Sequence, residues 1–168
     1  MSAKVLQETY EMLSARNPFP GLRPFTIGEN HLFFGREGHS ETVLEYLAEN
    51  RFVAVTGASG SGKSSLIYCG LIPTLYGGFI AKAGSNWRII TTRPGNSPVE
   101  SLATALADSE KGTEYDQSGN IKKKINYTVL RRSSFGLVDV IRQMKIPKGE
   151  NILLIFDQFE ELFRFKES

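Results

Sequence analysis

Two groups of residues have the types and spacing to handle a phosphorylated ligand. The first is Gly57-Ala58-Ser59-Gly60-Ser61-Gly62-Lys63-Ser64-Ser65, which reads G-x-x-x-x-G-K-S. Glycines at these positions let the backbone wrap tightly and turn its N–H groups toward an anion. A helix that starts at the end of such a loop adds unpaired N–H groups and the positive end of its dipole. Lys63 would reach the β- and γ-phosphates, and the Ser64 hydroxyl would sit on Mg²⁺. The second group is Asp157-Gln158-Phe159-Glu160-Glu161, which follows the apolar run Ile152-Leu153-Leu154-Ile155-Phe156. Asp157 can hold Mg²⁺, directly or through water. Glu160 or Glu161 can polarise an attacking water as general base.

Both groups need elements to position them. Arg51-Phe52-Val53-Ala54-Val55-Thr56 has the β-branched and aromatic composition of a buried strand leading into the loop. Ser65 to Ile72 follows it as a helix, with Pro73 as its stop. Trp87 to Thr92 reads as a second strand, broken by Arg93-Pro94-Gly95-Asn96, and Ser97-Pro98 opens a helix through Leu106. Arg93 stands just past a strand end, where ligand sites of open α/β sheets gather; it either approaches the site or is a surface guanidinium. Residues 107–128 are polar, with Lys122-Lys123-Lys124 among them, and read as a solvated loop. Ser133 or Ser134 can cap a helix through Met144, and Pro147 to Glu150 is a turn. The run from Asn151 to Phe156 has the continuous apolar character of a strand buried on both faces, as in a parallel sheet, with its carboxylates where the ligand crevice should be.

Upstream, residues 2–16 suggest a short helix or a tether, with Val5, Tyr10 and Leu13 as contact residues. Asn17-Pro18-Phe19-Pro20-Gly21-Leu22-Arg23-Pro24-Phe25 cannot form a helix or a central strand, yet it carries three large apolar side chains. An extended strap packed on a domain surface fits it. Phe33-Phe34-Gly35-Arg36 either packs into the core or covers a nucleotide base, with Gly35 allowing close approach. Ser40 to Asn50 forms an amphipathic helix with Val43, Leu44 and Leu47 on one face.

The chain has 168 residues, enough for a domain with a real core. Its 20 basic and 18 acidic side chains give a formal +2, too balanced to argue for nucleic acid or an anionic membrane. One cysteine, Cys69, excludes an internal disulfide framework and a cysteine-based zinc site; it reads as a small buried apolar residue. No apolar run approaches membrane-spanning length, and the N-terminus has no apolar leader core, so a cytoplasmic, reducing compartment is the default.

Val53 to Ser65 resembles the Walker A motif of P-loop NTPases, and Ile152 to Asp157 resembles Walker B. The strap, the Phe33-Phe34-Gly35-Arg36-Glu37 turn, Arg93-Pro94-Gly95 and Asp157-Gln158-Phe159-Glu160-Glu161, in this order, together resemble the novel STAND NTPase modules of bacteria. Those are signal-transduction ATPases with numerous domains, related to AAA+ proteins. The resemblance covers roughly residues 17–165. It implies a P-loop α/β fold with a mostly parallel sheet flanked by helices. Its divisions here would be a tether (1–16), a strap and base-covering turn (17–37) and an NTPase core (38–168). It implies a nucleotide-dependent switch that binds ATP or ADP with Mg²⁺ and hydrolyses slowly. Such modules self-associate and work beside sensor and effector domains. Phe34, Gly35 and Arg36 would lie near the adenine. Gly57, Ser59, Gly60, Ser61, Gly62, Lys63, Ser64 and Ser65 would hold the phosphates, and Ser64 and Asp157 the metal. Lys63 with Glu160 or Glu161 would serve hydrolysis.

Two departures stand out. Gln158 occupies the position where many AAA+ relatives carry Glu, so either the base is Glu160 or Glu161 or hydrolysis is weak. The family pattern continues beyond Walker B with a sensor strand, an arginine-bearing region and a helical lid. The expectation is therefore an NTPase core truncated after Walker B, in which Phe52–Thr56 and Ile152–Phe156 leave a gap between them or pair abnormally. A motor or loader ATPase, and a nucleotide-binding interaction module with little hydrolysis, are the competing readings. A GTPase is disfavoured because no Asn-Lys-x-Asp segment occurs.

Overall fold

The computed structural model describes residues 20–164 apart from 22, 81–83 and 111–117. The expected helix or tether at 2–16, and Asn17, Pro18, Phe19 and Leu22 of the strap, lie outside the described residues. The chain divides into two compact units, Met1–Ser85 and Asn86–Ser168.

In the first unit a 3-10 turn, Ile27–Leu32, precedes helix α1, Glu37–Asn50. Leu44 of α1 is fully buried, while Val43 and Leu47 on the same face are half-buried. The glycine-rich loop from Gly57 to Gly62 then runs into helix α2, built from the consecutive segments Lys63–Ser65, Leu66–Leu71 and Ile72–Tyr76. Its middle segment is a π-helix. Leu66, Cys69, Leu71, Ile72 and Leu75 form the buried face of α2.

Two expectations fail here. Pro73 does not stop the helix: it sits in the first turn of the segment that continues to Tyr76. The widened π turn alters the i−4 geometry that a proline ring normally clashes with, so the helix absorbs it. Phe52–Thr56 is not a buried strand. It belongs to no ladder, and Phe52 is 77% exposed. β-branched composition supplies strand preference, but a strand exists only where a neighbour accepts its hydrogen bonds.

The second unit holds a two-stranded parallel sheet of β1, Trp87–Thr92, and β2, Asn151–Phe156, in register from Trp87 opposite Asn151 to Thr92 opposite Phe156. Between the strands come α3 (Pro98–Asp108), α4 (Ser118–Arg132) and α5 (Gly136–Gln143). A last short helix, α6, spans Glu161–Arg164. Ile90, Leu106, Val140 and Met144 are the buried centre, with Val129, Leu130, Ile152 and Leu154 packed against it. Helices α4 and α5 cross so closely at Gly136 that an added Cβ would lie 2.5 Å from the Val129 carbonyl oxygen.

Residues 118–128 of the expected solvated loop are helix instead. Asn126, Val129 and Leu130 turn one face of α4 inward, and Lys122 and Lys123 form ion pairs with Glu110 and Glu100. Strand β2 is half-buried along most of its length rather than buried on both faces, and Phe156 is exposed. Ser133 accepts the Phe135 N–H through its hydroxyl, but α5 begins only at Gly136.

Candidate functional site

The loop residues Gly57 to Gly62 form an irregular turn, with the Ser61 N–H donating to the Ala58 carbonyl at 3.2 Å. Gly60 and Gly62 have φ of +75° and +83°, the left-handed region that favours glycine, and Gly62 immediately precedes α2. A Cβ on Gly57 would meet the Ser61 Oγ at 3.0 Å, so a side chain there would push the Ser61 hydroxyl aside. The Lys63 ammonium folds back over the loop and donates to the carbonyls of Gly57 and Ala58, at 2.9 and 3.0 Å. Gly57, Ser59 and Gly60 are exposed, while Ser61 through Ser64 are half-buried. A tight glycine turn, a helix start and a lysine over the turn form a donor set that fits a polyphosphate.

Several contacts fasten other elements to this loop and its helix. The Arg36 guanidinium donates to the Ser61 carbonyl at 3.3 Å, bringing the end of the Phe34-Gly35-Arg36 turn onto the loop. The turn is shaped by Glu37, whose carboxylate accepts the Gly35 N–H at 3.0 Å. Bonds from its own N–H and then from that of Gly35 hold the Glu37 carboxyl below its usual range. Of the two phenylalanines, Phe33 packs edge-on against Phe25, with ring centroids 6.0 Å apart, while Phe34 is 75% exposed. The packing role therefore falls to Phe33.

The strap is joined to α2 directly: the Phe25 N–H donates to the Ser65 Oγ at 3.1 Å, and the Cys69 thiol donates to the Thr26 carbonyl. Cys69 is buried, as expected, and burial, aided by the charge of Glu29, pushes its thiol pKa up. Glu29 clasps the strap by accepting two bonds from Arg23 and one each from the N–H and hydroxyl of Thr26. The Arg23 bond, followed by those from Thr26, brings its pKa down to about 2.

The carboxylates belong to the second unit. The ladder continues one step past β2, because the Asp157 N–H donates to the Thr92 carbonyl at 3.0 Å. That step sets Asp157 beside Arg93, whose Nε and Nη2 both donate to Asp157 Oδ2, at 3.1 and 2.8 Å. Gln158 then turns the chain with a left-handed φ of +56°, uncommon for a residue with a side chain. The turn leads into α6, where the Glu161 carboxylate accepts the Gly95 N–H at 2.9 Å. Glu160 is exposed on the same turn. The Asp157 carboxylate is an oxygen donor of the kind Mg²⁺ takes, and in the first unit the Ser64 hydroxyl is, by itself, another.

Sequence reasoning left the position of Arg93 open. Parallel register between β1 and β2 was the signal that could have paired it with Asp157. The backbone N–H of Gly95 as a partner for Glu161, and the Ser61 carbonyl as a partner for Arg36, carried no residue-type signal at all.

No helix among the described residues is long and apolar enough to cross a membrane. A family model described as Novel STAND NTPase 1 matches residues 18–168. No curated protein and no solved structure shows a match to the chain.

Proposed function

The chain belongs to the Novel STAND NTPase 1 family, and on that premise we propose that it is an ATP-binding regulatory module, a slow Mg²⁺-dependent NTPase that acts as a signalling switch. The observation that carries the reading is the loop from Gly57 to Ser65: two left-handed glycines, a helix starting at Lys63, and the lysine ammonium lying over the turn. Main-chain N–H groups of Gly60 to Ser65 bind the phosphates, and Lys63 exchanges its two carbonyl partners for phosphate oxygens. Arg36 steadies the loop through Ser61, and the exposed Phe34 offers a flat apolar face to a base, with Gly35 keeping the approach open. Ser64 and Asp157 are the oxygen donors that would hold the metal, whose charge would offset that of the phosphates. Glu160 or Glu161 orients the attacking water.

In this reading residues 1–16 are a tether, 17–37 the strap and base-covering turn, and 38–168 part of a cytoplasmic NTPase core. The core self-associates and reports to sensor and effector domains in a longer chain. The near-balanced charge lends no support to a nucleic-acid partner. Phosphate release under Mg-ATP tests the switch reading. Turnover is expected to be slow and indifferent to added nucleic acid. Nucleic-acid-stimulated turnover with a steep salt dependence would overturn the switch in favour of a motor or loader.

A further inference from the structure

The turn that follows β1 holds two of the carboxyl-bearing residues that follow β2, Asp157 and Glu161. Arg93 reaches Asp157 Oδ2 through two N–H groups, and Gly95 reaches Glu161 through its backbone. The first contact is dictated by register, since Thr92 pairs with Phe156 and the Asp157 N–H donates to Thr92. The two partners differ in exposure: the Asp157 side chain is 10% exposed and that of Arg93 is 52% exposed. The carboxylate is fixed at the strand end, and the guanidinium sits on a long stem with solvent beside it.

We propose that Arg93 is the resting counter-cation of Asp157, a positioning residue that a divalent metal must displace before Asp157 can serve it. The proposal rests on the reading of Asp157 as a metal ligand. A guanidinium and a divalent ion compete for one carboxylate, because each is attracted to it and they repel one another at separations of a few ångströms. Half of the Arg93 side chain already faces water, so its stem can swing away from Asp157 without opening a cavity. The Gly95–Glu161 contact is made by the backbone and does not depend on the Arg93 side chain. The Ser101 hydroxyl, donating to the Pro94 carbonyl at 3.2 Å, keeps the turn anchored to α3. Changing Arg93 therefore alters the charge beside Asp157 and leaves the neighbouring carboxylate held. The consequence is a raised metal threshold: nucleotide binding becomes metal-tightened only where divalent cation outcompetes the arginine.

The test is a Mg²⁺ titration of affinity for a fluorescent ATP analogue, read as binding rather than turnover. It compares wild type, Arg93→Ala, Arg93→Gln and Arg93→Lys, each also combined with Asp157→Asn. The two neutral variants are expected to reach half-maximal tightening at about five- to tenfold lower Mg²⁺ than wild type. Arg93→Lys, which keeps the charge, should stay within about twofold of wild type, and Asp157→Asn should erase the difference between all four. Neutral variants that need as much Mg²⁺ as wild type, or more, overturn the proposal. So does an Arg93→Lys chain that behaves like the neutral ones. A wild-type chain that binds no ATP analogue defeats the nucleotide reading and this inference with it. Wild-type binding with unshifted midpoints in the neutral variants defeats this inference alone.

Discussion

Gly136→Ala should destabilise the second unit, and the size of the effect can be worked from the α4–α5 crossing. A Cβ at Gly136 would lie 2.5 Å from the Val129 carbonyl oxygen, 2.6 Å from that of Leu130 and 2.7 Å from the Leu130 Cα. All three are backbone atoms of α4, so no side chain can swing aside. Helix α5 would have to move off α4, and it carries Val140, which packs with Met144, Ile90 and Leu106 at the centre of the core. Overpacking of this kind costs about 1–3 kcal/mol. Removing the backbone freedom of glycine offsets up to about 1 kcal/mol of that, because Gly136 does not need a positive φ. The expected net loss is about 1–2 kcal/mol, or a fall in Tm of about 2–8 °C for a chain of this size.

Gly38→Ala is the matched comparison. It lies in the first turn of α1, its Cβ would meet nothing within 4 Å, and its φ is not positive. That variant should gain a few tenths to about 1 kcal/mol. Thermal unfolding followed by circular dichroism reads both. A Gly136→Ala chain as stable as wild type would refute the claim that the α4–α5 approach requires glycine.

Two further outcomes follow from the first unit. Glu29 titrates at about 2 when folded against an ordinary 4.5, so its folded pKa is depressed and its contribution is complete above about pH 4.5 and lost as pH falls toward 2. Tm measured across that window should show the gap between wild type and Glu29→Gln closing with acid; a gap independent of pH would contradict the clasp. Gly70 of α2 faces Ser40 of α1, and a Cβ there would fall 2.0 Å from the Ser40 Oγ and 3.1 Å from its Cβ. Because the hydroxyl can be removed, Gly70→Ala should cost about 1–2 kcal/mol by chemical denaturation, and Ser40→Ala in the same chain should recover part of it. Strictly additive losses would show that the two residues do not meet.

What could be read from the sequence was what is local. Trp87–Thr92 and Asn151–Phe156 announce themselves as strands by composition and by the turns that bound them. Val43, Leu44 and Leu47 announce a helix face by spacing. The loop from Gly57 to Gly62 is legible as a turn because Gly60 and Gly62 take the left-handed conformation that glycine favours. What failed depends on partners far away in the chain. Phe52–Thr56 has strand composition but belongs to no ladder. Helix α4 was hidden because Asn126 sits in the middle of its inward face and three lysines precede it. Their charge is met by Glu100 and Glu110, which no local pattern reveals. Pro73 misled because a proline stops an α-helix, whereas the π segment before it accommodates one. Arg93 could be placed beside Asp157 only once both strands were known to run parallel in this register.

In the proposed switch, the loop from Gly57 to Ser65 binds the phosphates of ATP through Lys63. Calorimetric titration of the wild-type chain with Mg-ATP, beside Lys63→Ala at matched concentration, tests it most directly. Wild type is expected to bind saturably at one site per chain, and removal of the ammonium to weaken affinity by at least about tenfold, the scale of a charge-assisted contact to phosphate. Equal affinity in the two chains, or no heat in either, would contradict it.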